Sequence, residues 1–221
     1  MKKIGVIIAM QKELDLYTKH MDNYRIVTFH HHPFYVCKYN NFDLIIAVSG
    51  IGKVAASLTT SNMIYSFSPD LVINIGVSGG LDPRLKVGDW VLGLDLKYHD
   101  FWCEFEAKNK DENVNHLYHS DLEISGRQKG CIKGLLCSGD QFITDIQELN
   151  DIKAHFPDAL AVDMESTAIA QTCAAYQTKF LCLRQISDTP GADNHNEQYN
   201  KFWEDAPQRS FNVFKSILET L

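Results

Sequence analysis

Three apolar stretches of the sequence lead directly into carboxylates. VIIAMQKE ends on Glu13, AVDMES carries Asp163 and Glu165, and FLCLRQISD ends on Asp188. A charge this close to a buried strand destabilises a fold unless it has a partner or a task. The ends of these strands form the edge of an α/β sheet at which ligands bind. Acids grouped there are suited to exchanging protons with a bound ligand or to holding its hydroxyl groups.

Glycine-rich turns accompany these acids. The turns are SGIGK (49–53), GVSGG (76–80) and SGDQF (138–142), and they allow backbone amides to approach a small ligand closely. Neither GxGxxG nor GxxxxGK[ST] occurs, so neither a dinucleotide site nor a P-loop is indicated. Each acid alone is also open to a structural explanation, because the first turn of a helix stabilises a carboxylate. Glu13, Glu165 and Asp188 together at one edge favour a ligand site.

The elements that position the acids are strand-like runs alternating with helical patterns. Strands are predicted at 2–9, 24–30, 34–40, 43–49, 71–77, 89–96, 133–138, 159–163 and 179–186. Helices are predicted at 11–20, 53–67, 145–155, 165–176 and 197–220. LVINIGV and FLCLRQI are apolar throughout, which is typical of a sheet covered on both faces. The sequence therefore predicts a three-layer α/β/α sandwich with a mixed central β-sheet, formed by one domain over residues 1–221.

Composition excludes several classes of protein. The net charge is −7 and there is no block of Lys or Arg, which argues against nucleic acid or an anionic membrane as the partner. No apolar segment approaches the roughly 20 residues of a membrane span, and MKKIGVIIAM is interpreted as a first strand. The six cysteines show no CxxC spacing, so reduced thiols in a cytoplasmic protein are expected. His30–His32 are expected in an edge strand and turn, with a metal site as the weaker alternative.

The motifs also occur in a familiar order. IGVIIAMQKE, VSGIGKVAAS, INIGVSGGLDPRLKVGDWV, SGDQFI, AVDMESTAIA and LRQISD follow one another over nearly the whole chain. In this order and spacing they resemble the 5′-methylthioadenosine/S-adenosylhomocysteine nucleosidase family, within the nucleoside phosphorylase superfamily. The resemblance implies a nucleoside phosphorylase-like fold and hydrolysis of an N-glycosidic bond that releases adenine.

Catalytic roles are implied by the same resemblance. Glu13 matches the base that activates the attacking water, and Asp188 matches the acid that protonates the purine. Glu165 matches the residue that holds the ribose hydroxyls, with Arg184 steadying that carboxylate. Asp163 stands where the family usually has Glu and is expected to support the turn or the ribose contacts. Without the family, Arg184 would be interpreted as a structural ion-pair partner.

The resemblance further implies the walls of a substrate pocket. Phe142 matches the ring that stacks on adenine, although from the sequence alone a core aromatic is the simpler interpretation. The backbone of Ile143 matches the group that reads the edge of the base, and Met164 matches the side chain beneath the sugar. Ile51 and Ser78 match further lining residues.

Chemistry of this kind needs an acid on the purine side and a base on the opposite side of the sugar, as in glycosidases. It requires no metal and no organic cofactor. Three alternatives stay open: a nucleosidase for another 5′ substituent, such as aminodeoxyfutalosine; a purine nucleoside phosphorylase; and a nucleoside-binding module without catalysis. A phosphorylase would need an anion site, usually with arginines, where this sequence has AMQKE and KVAAS.

The resemblance also implies a homodimer. Residues 101–128 match the family poorly, in a region that helps to close the partner subunit's pocket over the 5′ substituent. The stretch YHDFWCEF (98–105), which overlaps the start of this region, carries Tyr98, Phe101, Trp102 and Phe105, and aromatic residues are enriched at protein interfaces. These aromatics are expected to line the 5′ pocket of the other subunit.

Overall fold

The computed structural model describes residues 2–21, 23–101, 117–127, 130–192, 194–205 and 207–221. A mixed β-sheet forms the centre of the fold. The strands are β1 (Lys2–Ile8), β2 (Arg25–Phe29), β3 (His32–Tyr39), β4 (Phe42–Val48), β5 (Leu71–Gly80), β6 (Trp90–Tyr98), β7 (Tyr118–His119), β8 (Ile132–Ser138), β9 (Ala159–Asp163) and β10 (Lys179–Asp188). The helices are α1 (Gln11–Thr18), α2 (Lys53–Phe67), α3 (Leu122–Arg127), α4 (Ile146–His155), α5 (Ser166–Ala175), α6 (His195–Asp205) and α7 (Pro207–Glu219).

The centre of the sheet is parallel. β1 pairs in parallel with both β4 and β5, and β5 pairs in parallel with β10. Their carboxyl ends therefore lie at one edge. β9 runs antiparallel to β5 but pairs only with its last two residues, Gly79 and Gly80. The carboxyl end of β9 consequently reaches the same edge of the sheet.

One half of the sheet closes on itself. β10 pairs with β5 on one side and, antiparallel, with β6 on the other. β6 then pairs with β8, β8 with β9, and β9 returns to β5. These five strands form a closed ring, whereas β1, β4, β3 and β2 extend from β5 as an open sheet. We refer to the five strands as the strand ring.

Helices cover the sheet on two sides, as the apolar strands predict. One buried cluster joins the sheet to α1 and α7 through residues such as Leu14 and Phe214. The other joins it to α2 and α5 through residues such as Met63 and Ile169. Burying an apolar side chain of this size stabilises the fold by about 1.5–3 kcal/mol, so each interface contributes substantially. Among the described residues, none of the helices combines the length and apolar character needed to cross a bilayer.

The predicted architecture is confirmed. The helix predicted at 197–220 corresponds to α6 and α7, which the structure describes on either side of residue 206. The structure also adds β7 and α3, which the sequence did not predict. His30 and His31, both at positive φ, form the turn between β2 and β3 at the open end of the sheet.

Candidate active site

A cleft lies where the carboxyl ends of β1, β5, β9 and β10 meet. The residues predicted from the sequence for catalysis or binding all line it: Glu13, Ile51, Ser78, Phe142, Ile143, Met164, Glu165, Arg184 and Asp188. Residues far apart in the chain thus lie together at this edge of the sheet, as expected from their positions at the ends of strands.

Glu13 is held at the cleft by the start of α1. This helix follows β1 closely and places Glu13 in its first turn, where the side chain is 3% exposed. Its Oε2 accepts hydrogen bonds from the backbone N–H groups of Ala9 (2.9 Å) and Met10 (2.8 Å). Oε1 has no hydrogen-bond partner among the described residues. Burial raises the pKa of Glu13, although Arg184 and the two backbone hydrogen bonds oppose this. The result is a fixed carboxylate that accepts a proton more readily than a free glutamate.

Arg184 is buried beneath the cleft within a polar network. Its Nε lies 2.7 Å from Asp163 Oδ2, and its Nη2 donates to Asn74 Oδ1 at 2.8 Å. The bond from Nη2 to Glu165 Oε2 is longer, at 3.4 Å. The predicted pairing of Arg184 with Glu165 is therefore present, but Asp163 is the closer partner. A guanidinium with almost no exposed surface needs such partners, because an unpaired buried charge is costly.

Asp163 supports the turn between β9 and α5, one of the two roles predicted for it. Its Oδ1 accepts the backbone N–H groups of Glu165 and Ser166, both at 3.1 Å, and the hydroxyl of Ser138 at 2.6 Å. Since Oδ2 faces Arg184, this one carboxylate both caps the start of α5 and neutralises the buried cation. Asp163 thereby fixes the backbone from which Glu165 projects.

Gly76 allows Arg184 and Glu13 to approach each other across β5. A Cβ atom at this position would overlap the Nη1 atom of Arg184 and would lie 2.8 Å from Glu13 Oε1. Any other residue would therefore displace both side chains, which explains why β5 contains a glycine here.

Glu165 occupies the position just before α5 and not, as predicted, its first turn. The side chain is 5% exposed, and its Oε1 accepts the backbone N–H of Gly52 at 3.0 Å. Gly52 has a φ of +96°, a conformation that residues with a Cβ atom rarely adopt. Burial raises the pKa of Glu165 to about 7, with Arg184 acting to lower it and Asp163 to raise it.

The raised pKa of Glu165 predicts a pH-dependent stability. A carboxyl group with a higher pKa in the folded than in the unfolded state stabilises the fold below its unfolded pKa, and this contribution is lost as pH rises. For Glu165 the window runs from 4.5 to about 7. Glu165→Gln removes this titration. The unfolding free energy of the variant minus that of the original protein should therefore increase between pH 5 and pH 8, by up to about 3 kcal/mol. Urea unfolding of both proteins at these two pH values measures the difference; a pH-independent difference would contradict the expected titration.

Asp188 is the last residue of β10 and faces the cleft with 1% of its surface exposed. Its Oδ1 accepts the hydroxyl of Ser187, and its Oδ2 lies 2.8 Å from Nε2 of His195. Burial raises the pKa of Asp188, while Ser187 and His195 oppose the rise. Arg184 is bound instead to Asp163, Asn74 and Glu165. Asp188 is therefore positioned to carry a proton.

The remaining walls of the cleft are mostly apolar. Phe142 is 47% exposed, so it is a pocket wall and not the core aromatic that the sequence alone favoured. Its ring lies 5.5 Å from the rings of both His195 and Tyr199. Ile143 is buried behind it, and Ser78 contributes a buried hydroxyl that has no partner among the described residues. Ile51 and Met164 complete the lining.

Sequence reasoning missed three residues of the site: Asn74, His195 and Tyr199. Asn74 could have been noticed as the one polar side chain inside LVINIGV, since a buried amide needs hydrogen-bond partners. His195 and Tyr199 lie on α6, and no motif singles them out. Only the packing of α6 against the end of β10 brings them to the cleft.

Metal ligation has no structural support in the described part of the chain, where no group of three or more His, Cys, Asp or Glu side chains is arranged to hold an ion. The acids of the cleft are bound to backbone amides, to Arg184 or to His195 instead. Their arrangement suits proton transfer and hydroxyl binding.

Comparisons with known proteins agree with the geometry of the cleft. The model of the phosphorylase superfamily matches residues 3–219. A 5′-methylthioadenosine/S-adenosylhomocysteine nucleosidase from Staphylococcus carnosus is 32% identical over 231 aligned residues, covering 99% of this chain and 100% of the relative. The chain belongs to this nucleosidase family. Its relative from Lysinibacillus sphaericus shows the same identity and coverage.

Solved structures of the nucleosidase family share the fold. The enzyme from Neisseria meningitidis in complex with methylthio-immucillin-A has a TM-score of 0.90 and 31% identity, with all of both chains covered. The enzyme from Colwellia psychrerythraea in complex with adenine has a TM-score of 0.91 and 30% identity, covering all of this chain and 96% of that one. The nucleoside phosphorylase-like fold predicted from the motifs is confirmed.

Proposed function

We propose that this chain hydrolyses the N-glycosidic bond of 5′-methylthioadenosine, S-adenosylhomocysteine or both, and releases adenine. Membership of the nucleosidase family supports the reaction class. The observation that carries the proposal is the placement of Glu13: a buried carboxylate whose Oε2 is held by two backbone amides while Oε1 has no partner among the described residues. An oxygen fixed in this way is suited to accept a proton from an attacking water.

Two acids divide the proton transfers. Water attacks C1′ as the bond to purine N9 breaks, and Glu13 accepts a proton from that water. The electron pair of the broken bond passes to the purine, and Asp188 donates its proton to N7. Charge thus does not accumulate on the leaving group, which lowers the barrier.

Binding groups hold the substrate between these acids. Glu165 accepts hydrogen bonds from the ribose hydroxyls and favours the positive charge that develops on the sugar. Met164 packs beneath the sugar, and the half-exposed ring of Phe142 stacks on adenine. The backbone of Ile143 reads the edge of the base, with Ile51 and Ser78 as further walls. No step in this scheme requires a metal or an organic cofactor.

Adenine release in the absence of phosphate tests the reaction. We expect turnover of 5′-methylthioadenosine in phosphate-free buffer, with adenine and the free sugar as products. Phosphorolysis needs an anion site, and the corresponding part of this cleft carries Glu13 instead. A requirement for phosphate, with formation of a ribose 1-phosphate, would identify a phosphorylase. Turnover of aminodeoxyfutalosine alone would assign the other nucleosidase reaction, and tight binding without adenine release would indicate a binding module.

We further propose a homodimer in the cytoplasm. Free cysteines, most of them buried, are compatible with a reducing compartment. The outer face of α2 supports the dimer, because it exposes the large apolar residues Val54, Leu58 and Tyr65 in one stripe that continues to Ile51 at the cleft. Such a contiguous apolar face is typical of a protein interface.

Phe101, another exposed aromatic, belongs to the stretch predicted to line the partner's 5′ pocket. Trp102 and Phe105 of that stretch lie outside the described residues, and so does most of the poorly matching region 101–128. The contribution of these aromatics to the partner's pocket stays a prediction.

Light scattering tests the dimer. At micromolar concentration we expect a mass twice the 25.1 kDa of the chain. Leu58→Glu places a charge in the middle of the α2 stripe and should shift the mass towards that of the monomer. Ile26→Glu is the matched control, since Ile26 is equally exposed but lies on the edge strand β2. A monomeric original protein, or equal effects of the two substitutions, would refute an interface on α2.

A further inference from the structure

His195 contacts the proposed acid without itself lining the cleft. Its Nε2 lies 2.8 Å from Asp188 Oδ2, and the ring is only 4% exposed. Asp188 lines the cleft, whereas His195 lines a separate surface depression together with Thr144, Ala192, Asn194, Asn196 and Glu197. The imidazole therefore stands between the acid and a second route to solvent.

Burial of Asp188 creates a need for such a route. The carboxyl group has 1% of its surface exposed, and a purine bound against it in the cleft would cover what remains. After giving its proton to the purine, Asp188 is left as a carboxylate and must be protonated again before the next turnover. Ser187, which donates its hydroxyl to Oδ1, is itself buried and has no net proton to supply.

We infer that His195 relays a proton from the surface depression to Asp188. This inference rests on the hydrolase function proposed above and deepens it. The imidazolium passes the proton on its Nε2 to Oδ2 of Asp188 and becomes the neutral tautomer with its hydrogen on Nδ1. Rotation of the ring towards the depression then lets Nε2 take up another proton from water, and the ring returns as the imidazolium. One proton enters for each proton given to the purine, and no oxidant or reductant is involved. His195 acts through Asp188 without touching the substrate, so it is a positioning residue and not a catalytic one.

A relay explains why a histidine occupies this place. Imidazole is the side chain whose ordinary pKa lies nearest to neutrality, so it both gains and loses a proton readily there. A side chain that merely held Asp188 in place would need only a hydrogen-bond donor.

His195→Gln tests proton transfer separately from the hydrogen bond between residue 195 and Asp188. Glutamine can still donate a hydrogen bond to Asp188 but cannot transfer a proton at neutral pH. We expect kcat with 5′-methylthioadenosine to fall by about tenfold or more, the lower part of the range for assisted proton transfer. KM should change little, and the rate with a nitrophenyl riboside, whose leaving group needs no proton, should be retained. Asn196→Ala is the matched control, because Asn196 is exposed in the same depression and should leave both rates unchanged.

Chemical rescue distinguishes a proton relay from a purely structural role, because added imidazole would not restore kcat if His195 only held Asp188 in place. His195→Ala opens a space continuous with the depression, and added imidazole should restore much of the lost kcat. Substituted imidazoles should rescue in proportion to their ability to donate a proton. Imidazole should not rescue Asp188→Asn. An original-level kcat in His195→Gln, or rescue that is absent in a folded His195→Ala, would overturn the relay. If His195→Ala fails to fold, the glutamine variant decides.

The function and the relay can fail separately. Adenine release by the original protein tests the function alone. If no adenine appears, the NMR resonance of the His195 Nε2 nitrogen still tests the contact, because Nε2 lies 2.8 Å from Asp188 Oδ2. Asp188→Asn should shift this resonance, and Glu197→Gln, at the rim of the depression, should shift it less. An unchanged Nε2 resonance in Asp188→Asn would refute the coupling whatever the reaction.

Discussion

Replacing Glu13 with glutamine is expected to lower kcat by at least about 10²-fold, the scale of a general base. Glutamine keeps the shape of the side chain, and its carbonyl oxygen can still accept the backbone N–H groups of Ala9 and Met10. The amide then occupies the place of Oε1, where it cannot accept the proton of a water molecule. Binding of substrate analogues should be largely retained. Steady-state kinetics and calorimetry with an uncleaved analogue measure the two effects separately.

Asp15→Asn is the control for Glu13→Gln. Asp15 lies on the same helix two residues later and is exposed, so the loss of its charge should leave kcat unchanged. A second check uses pH. Because burial raises the pKa of Glu13, the acidic limb of kcat/KM should lie above the ordinary range of a glutamate, and a base of ordinary pKa would contradict this. Near-normal turnover by Glu13→Gln would remove Glu13 from the mechanism.

Asp188→Asn should reduce hydrolysis of adenosine-type substrates by about 10²-fold or more, as expected for loss of a general acid. An unperturbed aspartate titrates near ~3.9 and would be ionised at neutral pH. Burial raises the pKa of Asp188 and thereby favours the protonated form that catalysis needs. Asparagine can still donate a hydrogen bond to purine N7 but cannot transfer a proton. The variant should therefore bind adenine analogues yet turn over slowly.

The control for Asp188→Asn is a change of substrate. A nitrophenyl riboside has an activated leaving group, so its hydrolysis should suffer much less than that of 5′-methylthioadenosine. The ratio of the two rate losses isolates leaving-group protonation from any general damage to the cleft. Equal losses on both substrates would show that Asp188 does something else.

Sequence reasoning reached the fold because the acids and the strands are local features. An apolar run followed by a carboxylate is visible in the chain, and parallel strands bring such ends together. It failed where partners are remote. The distance between Arg184 and Asp163 depends on how β10 and β9 lie against β5, and the contact between His195 and Asp188 depends on how α6 packs.

The strand ring has a consequence for folding of the chain during its synthesis on the ribosome. β5 and β10 are separated by about a hundred residues of chain, yet they pair along most of their length, and β10 also seals the ring against β6. Contacts this distant in sequence form slowly, since a long loop must be closed before they stabilise the fold. Asp188, the proposed acid, is the final residue of β10, so the strand that closes the ring also brings Asp188 to the cleft. A nascent chain in which β10 has not yet paired with β5 and β6 should therefore lack hydrolytic activity.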